Sequence, residues 1–206
     1  MTNTTGIIGI AGKMGSGKST LAGMLAEKLP GSFRMSFAGP LKREVSQRFN
    51  IPIGLCYSEQ GKNQTVLHHD LPGGAMEVRR ILQWWGTEVR RAQDENYWID
   101  QARKDITNLP PRVRHLIIDD VRMRNEAEMI LDRGGFLVKI NTYPDWKPGP
   151  HAWCRSETEL DTFGKWSLIV SPALGRLEDE ADLIIAHYTN LKGGENGNRR
   201  NGKTLS

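Results

Sequence analysis

The sequence has little cysteine, little histidine, no long apolar run and no internal repeat, and each shortage removes a class of protein. Its two cysteines, Cys56 and Cys154, stand far apart with no C-x-x-C and no histidine at ligand spacing. That excludes a disulfide framework and a zinc ribbon and leaves two plain thiols. No stretch approaches the roughly 18 consecutive apolar residues of a membrane span, and the apolar run Gly6–Ala11 is too short and too Gly-rich for a signal peptide. The expected location is therefore the cytoplasm. Of five histidines, His68 and His69 are adjacent, without the i, i+4 spacing or third ligand of a metal motif, and read as a surface pair. The basic excess is also smaller than the net charge of +4 suggests. Lys192, Arg199, Arg200 and Lys203 all fall after Leu191, against Glu195 alone, so the body of the chain is near neutral. Segment 191–206 is rich in Gly and Asn, cannot bury enough apolar surface to order itself, and reads as a disordered basic tail rather than a polynucleotide-binding arm.

What is present suffices for one domain with insertions: 206 residues, of which 38% are hydrophobic. The segment 12–19, Gly12-Lys13-Met14-Gly15-Ser16-Gly17-Lys18-Ser19, is a complete G-x-x-x-x-G-K-[ST] phosphate-binding loop between an apolar strand pattern and a helix with Leu21, Leu25 and Leu29 on one face. The glycines let the backbone curl so that N–H groups gather around an anion, and the positive end of the following helix adds to that field. Lys18 is the mobile charge for the β- and γ-phosphates, and the Ser19 hydroxyl, followed by Thr20, is a Mg²⁺ ligand.

Downstream, the alternation of strand and helix patterns predicts an α/β fold with a parallel sheet wrapped on both sides. A helix opening at Pro40 carries Lys42 and Arg43 in its first turn. Segment 50–75 loses all periodicity and is expected to be a long loop or small insertion. Segment 76–91 reads as one amphipathic helix, with Val78, Ile81, Leu82, Trp85 and Val89 on the stripe and Arg79, Arg80 and Gln83 off it. Two adjacent arginines with an amide one turn on suit a phosphate and a base edge. A buried strand, 113–118, runs into Asp119-Asp120, where a Mg²⁺-ordering carboxylate belongs, although a helix N-cap is the alternative for either. Segment 142–165, with Pro144, Pro148, Gly149 and Pro150, has the composition of a lid. Phosphoryl transfer needs cations from several segments, and Lys18, Arg79, Arg80, Arg122 and Arg155 meet that demand.

The blocks Phe37-Ala38-Gly39-Pro40-Leu41-Lys42, Val78-Arg79-Arg80-Ile81-Leu82-Gln83 with Gly86-Thr87-Glu88 and Trp98, Asp120-Val121-Arg122 with Asn125-Glu126-Ala127, and Ser156-Glu157 resemble the bacteriophage deoxynucleoside monophosphate kinases over most of the chain. The resemblance implies a nucleoside-monophosphate-kinase-like, parallel-sheet P-loop NTPase fold over 1–190, with an acceptor-binding insertion near 50–75 and a lid near 142–165. It implies ATP and Mg²⁺, a deoxynucleoside monophosphate as acceptor, and the cytoplasm of an infected host cell for a phage-encoded chain. Residue by residue, Gly12 through Thr20 would hold the nucleotide, Ser19 and Asp120 the metal, and Lys42, Arg79, Arg80 and Gln83 the monophosphate. Lys18, Arg80, Arg122 and Arg155 would act on the transferred group, and the loop 173–175 would lie near the donor adenine by fold analogy. The alternative is a related kinase acting on a hydroxymethylated pyrimidine within DNA, for which the basic tail and the tryptophans speak and the near-neutral body does not. A homodimer stays open.

Overall fold

The computed structural model describes residues 5–142, 147, 154–173 and 175–200. The chain divides into two compact units, 1–35 together with 110–206, and 36–109. The first unit opens with β1 (Gly6–Ala11), α1 (Lys18–Lys28) and β2 (Ser32–Met35). The second contains α2 (Ala38–Arg48), α3 (Ile53–Tyr57), α4 (Glu59–Lys62), β3 (Thr65–Leu67), β4 (Ala75–Glu77), α5 (Val78–Gln83) and α6 (Tyr97–Thr107). The first unit then resumes with β5 (His115–Val121), α7 (Arg124–Asp132), β6 (Phe136–Ile140), α8 (Arg155–Thr158), β7 (Leu168–Val170) and α9 (Leu177–Arg200).

In the first unit five parallel strands lie in the order β2-β5-β1-β6-β7. Every residue of β1 is buried, as expected of a central strand covered on both faces. Ile8 and Ile10 join Leu21 and Leu25 of α1 and Ala181, Ile184 and Tyr188 of α9 in one core cluster. Each such aliphatic side chain contributes roughly 1.5–3 kcal/mol by leaving water. Gly9, between the two isoleucines, faces the other way: a Cβ there would stand 2.5 Å from Ile130 Cδ1 of α7. The missing side chain is what lets α7 close onto that face of the sheet. Helix α9 is fastened by Tyr188, whose hydroxyl lies 2.9 Å from His115 Nδ1 and whose burial pushes the phenol up to about 12. The helical backbone of α9 continues through the Gly/Asn-rich stretch to Arg200, where composition predicted disorder. Once the packed turns 177–188 have met the nucleation cost, each added residue needs only one more backbone bond. Residues 201–206 of the expected tail lie outside the described residues.

The second unit begins at Ser36 and is therefore wider than the 50–75 stretch singled out by its lost periodicity. That stretch is not an open loop. It folds as α3, α4 and the strand β3, which pairs antiparallel with β4. Elements of three to five residues span less than two helical turns or strand repeats, so no period can show in their sequence. Val45, Phe49, Ile51, Cys56, Leu71, Val78 and Ile81 form their common core. Burial pushes the Cys56 thiol up, which keeps it an inert core residue.

The single helix expected over 76–91 is three structures, of which the first, Met76 and Glu77, belongs to β4. α5 ends at Gln83, and Trp84–Arg91 winds as a π-helix. The wider turn shifts the stripe: Val78 and Ile81 are buried, whereas Trp85 and Val89 are only half-buried. Gly86 lies on the inner side of the π segment, where a Cβ would stand 2.9 Å from Leu41 Cδ2, and Trp98 Nε1 donates to the Gly86 carbonyl at 3.0 Å. Glu44 of α2 fixes the same segment from another side. It accepts from Trp85 Nε1 at 2.8 Å, Arg90 Nε at 2.5 Å and Tyr97 Oη at 2.8 Å, while Arg90 stacks over both aromatic rings.

Candidate phosphate-binding site

The segment between β1 and α1 has the backbone that its glycines predict. Gly15 and Gly17 take φ of 78° and 90°, a left-handed conformation that a side chain would strain. Gly12 is needed for space: a Cβ there would stand 2.8 Å from the Ile140 carbonyl oxygen and 2.7 Å from Ser16 Oγ. Ser16 is fully buried, and its hydroxyl has no hydrogen-bond partner among the described residues. Ser19 and Thr20 are exposed in the first turn of α1.

Lys18 lies inside the loop rather than over it. Its ammonium donates to the carbonyls of Gly12 and Lys13, both at 2.7 Å. Burial, then the nearby Arg122, lowers its pKa from 10.5 to about 8. Glu157, Asp119 and Asp120 pull the other way, which places all three carboxylates within electrostatic reach of the loop.

Around this loop the structure gathers a network that sequence reading missed. The Glu157 carboxylate, only 3% exposed, accepts from the Met14 N–H at 2.8 Å and from Arg122 Nη1. Lys13 Nζ donates to the Glu157 carbonyl and to Asp161 at 2.5 Å. Glu157 was visible only as a member of a resembling block; nothing in its local spacing says that it reaches a loop 143 residues earlier. A cavity of about 220 Å³ opens beside the network, lined by Lys13, Arg122, Lys139, Asn141, Glu157 and Trp166 among others.

Arg122 is set by the end of β5. That strand runs to Val121, so Asp119 and Asp120 lie within it, and its register with β1 shifts here: Gly9 pairs with Ile118 but Ala11 with Val121. Such an irregularity turns consecutive side chains in new directions. Asp119 is bound to Arg34 at 2.7 Å. Neither aspartate caps α7, whose N-cap is Met123. Glu126 does that work: its Oε2 accepts from the N–H groups of Arg122 at 2.8 Å and Met123 at 3.0 Å, which fixes the turn that carries Arg122.

Arg155 opens α8, two residues before Glu157. It is 55% exposed and pairs through two nitrogens with Glu159, one turn along, at 2.7 and 3.2 Å. Segments 143–146 and 148–153 of the expected lid lie outside the described residues, as does Leu174 in the loop expected near an adenine.

The second unit holds the other candidates. Lys42 Nζ lies 4.2 Å over the Tyr57 ring, and Arg43 pairs with Asp105 at 2.5 Å. Arg79 donates to Glu59 at 2.6 Å and Asn63 at 3.2 Å. Hydrogen bonds from Lys62 and then Arg79 draw the Glu59 pKa down to about 2. Arg80 and Gln83, three residues apart on α5, are both exposed and bind no carboxylate among the described residues. His68, His69 and Asp70 bring their ligand atoms within 4.8 Å of one another, but Asp70 already pairs with Arg48 at 2.6 Å and His69 is 83% exposed.

The fold and the loop define a class: a parallel α/β unit with a Gly-rich strand-to-helix loop that holds an anionic group through a backbone N–H. No protein-family model matches the chain. It is similar to a protein of Acanthamoeba polyphaga mimivirus named "Putative deoxynucleotide monophosphate kinase", with 29% identity over 174 residues that cover 80% of this chain and 86% of that one. No helix among the described residues is long and apolar enough to cross a membrane.

Proposed function

We propose that this chain is a deoxynucleoside monophosphate kinase, transferring the γ-phosphoryl group of ATP to a dNMP to give ADP and dNDP. The observation that carries the reading is the anion already seated in the loop: a carboxylate oxygen 2.8 Å from the Met14 N–H, with Arg122 on the other oxygen and Lys18 beneath. Donors of this kind serve a phosphate at least as well. The similarity to the mimivirus protein supports the acceptor class.

In the reaction an oxygen of the acceptor's own phosphate forms the new O–P bond as the bond from the β–γ bridging oxygen to that phosphorus breaks, leaving ADP with the electron pair. No general base is required, because the acceptor phosphate is largely ionised at neutral pH. The chain's task is to position and to neutralise charge. The loop N–H groups and Lys18 hold the donor, Arg122 stands at the transferred group, and Arg80, Arg79, Gln83 and Lys42 of the second unit hold the acceptor monophosphate. Arg155 joins only by leaving Glu159. Ser19 and Asp120 would hold Mg²⁺, and the buried Ser16 hydroxyl, unpartnered among the described residues, and the carboxylates around Lys18 fit a site built for a metal-bound polyphosphate. That ion would offset the negative charge of the donor.

Trp84 and Trp85 pack against the second unit's core and Trp98 is buried, so none of these three offers the DNA-base alternative an open stacking platform. The test is release of ADP from MgATP against each deoxynucleoside monophosphate, with single- and double-stranded DNA carrying hydroxymethylated pyrimidine alongside. Turnover on a free monophosphate is expected. Turnover on the modified DNA alone would replace this reading with the alternative.

A further inference from the structure

Resting on the reading of 12–19 as a nucleotide loop, we infer that Glu157 is a positioning residue that holds Arg122 and the Met14 N–H until the terminal phosphoryl group of a nucleoside triphosphate takes both from it. A carboxylate with 3% exposure is costly to bury unless it is paired and hydrogen-bonded. Glu157 meets that cost with a particular pair of donors, a loop N–H on Oε2 and a guanidinium on Oε1. Loop N–H plus arginine is the donor set that recognises phosphoryl oxygens. The carboxylate therefore occupies the loop as a phosphate would, with one charge and two oxygens.

The position within the loop sets which phosphate competes. Residues 17–19 open α1, where helix N–H groups take the inner phosphates. Met14 stands four residues before Lys18, on the far limb of the loop, beside Arg122 at the end of β5. A diphosphate seated at the helix end does not need Met14. A triphosphate does, and it must displace Glu157. The displaced residue is tied to the loop by its backbone as well, since Lys13 Nζ holds the Glu157 carbonyl and Asp161. That tie keeps α8 on the loop when the side chain leaves, and Glu157 makes the site discriminate loaded from spent donor.

The test is calorimetric titration of the full chain with ADP and with a non-hydrolysable ATP analogue, both with Mg²⁺, for the wild type, Glu157→Gln and Glu157→Asp. Glu157→Gln keeps an acceptor for Met14 but cannot pair with Arg122. It should bind the triphosphate analogue roughly tenfold more tightly, with ADP changed by less than about twofold. Glu157→Asp, one methylene shorter, cannot span both donors and should raise the same triphosphate-to-diphosphate ratio by a smaller factor. A residue that merely braces the loop would weaken both nucleotides together. Unchanged or weaker triphosphate binding in Glu157→Gln overturns the inference, and if that variant does not fold, an unchanged ratio in Glu157→Asp does so. The inference fails alone if the wild type binds nucleotide through Lys18 but these ratios do not move. It falls together with the loop reading if the wild type binds neither nucleotide.

Discussion

The cations around the Gly-rich loop and Arg80 of the second unit are held in opposite ways. Around the Gly-rich loop, Lys13, Lys18 and Arg122 are all engaged, by loop carbonyls, Asp161 and Glu157. On α5 of the second unit the adjacent arginines differ: Arg79 is tied to Glu59, while Arg80 is exposed beside Gln83. A loop that already contains its counter-charges is preorganised, and a ligand must exchange with them. An exposed arginine has its full charge to give but pays side-chain entropy to use it. The contrast accords with the division of labour in the proposed function, donor phosphates to the loop and the acceptor's phosphate to Arg80.

The largest effect expected is that of Lys18→Ala. It removes the buried ammonium beneath the loop and should lower phosphoryl transfer by roughly a thousandfold for every acceptor, in steady-state assays. Turnover near the wild-type rate would take the loop out of the reaction and dissolve the contrast.

That prediction was available from the sequence, because the loop's spacing fixes its geometry within eight residues. The parallel sheet was legible for a similar reason: Ile7, Ile8, Ile117, Ile118, Leu137 and Val138 sit in apolar runs that only a doubly covered strand explains. Glu157 was not legible as a site residue, since its partners Met14 and Arg122 are brought to it by the sheet and not by spacing. Nor was the π-helical segment, which depends on Gly86 meeting Leu41 and on the Glu44 hub. The small elements of 53–67 were too short to print a period.

A second effect concerns pH. The free loop holds Lys18 near 8 instead of 10.5, and a bound phosphate favours the protonated form. Nucleotide affinity should therefore be flat below pH 8 and fall as pH rises through about 8, with a proton taken up on binding above that point. Calorimetry in buffers of different ionisation enthalpy checks this. Constant affinity from pH 7 to 9.5 would mean that Lys18 does not titrate against the ligand.

The smallest effect is Glu59→Gln, which releases Arg79. Glu59 has a depressed pKa, so its contribution to stability is present above the ordinary carboxylate value of 4.5 and is lost as pH falls toward about 2. The carboxylate is 75% exposed, and solvent screening keeps that contribution small. The melting temperature should hardly change at neutral pH. Monophosphate KM should fall by about twofold if Arg79 serves the acceptor, and stay put if Glu59 and Arg79 only brace α4 against α5.

The division of labour is tested most directly by measuring donor and acceptor affinity separately, by titration with ADP and with a deoxynucleoside monophosphate, in Lys18→Ala and Arg80→Ala. Arg80→Ala should weaken the monophosphate by about thirtyfold while leaving ADP nearly unchanged, and Lys18→Ala should do the reverse. Equal losses of both ligands in Arg80→Ala would contradict the account, because Arg80 would then have no acceptor to hold.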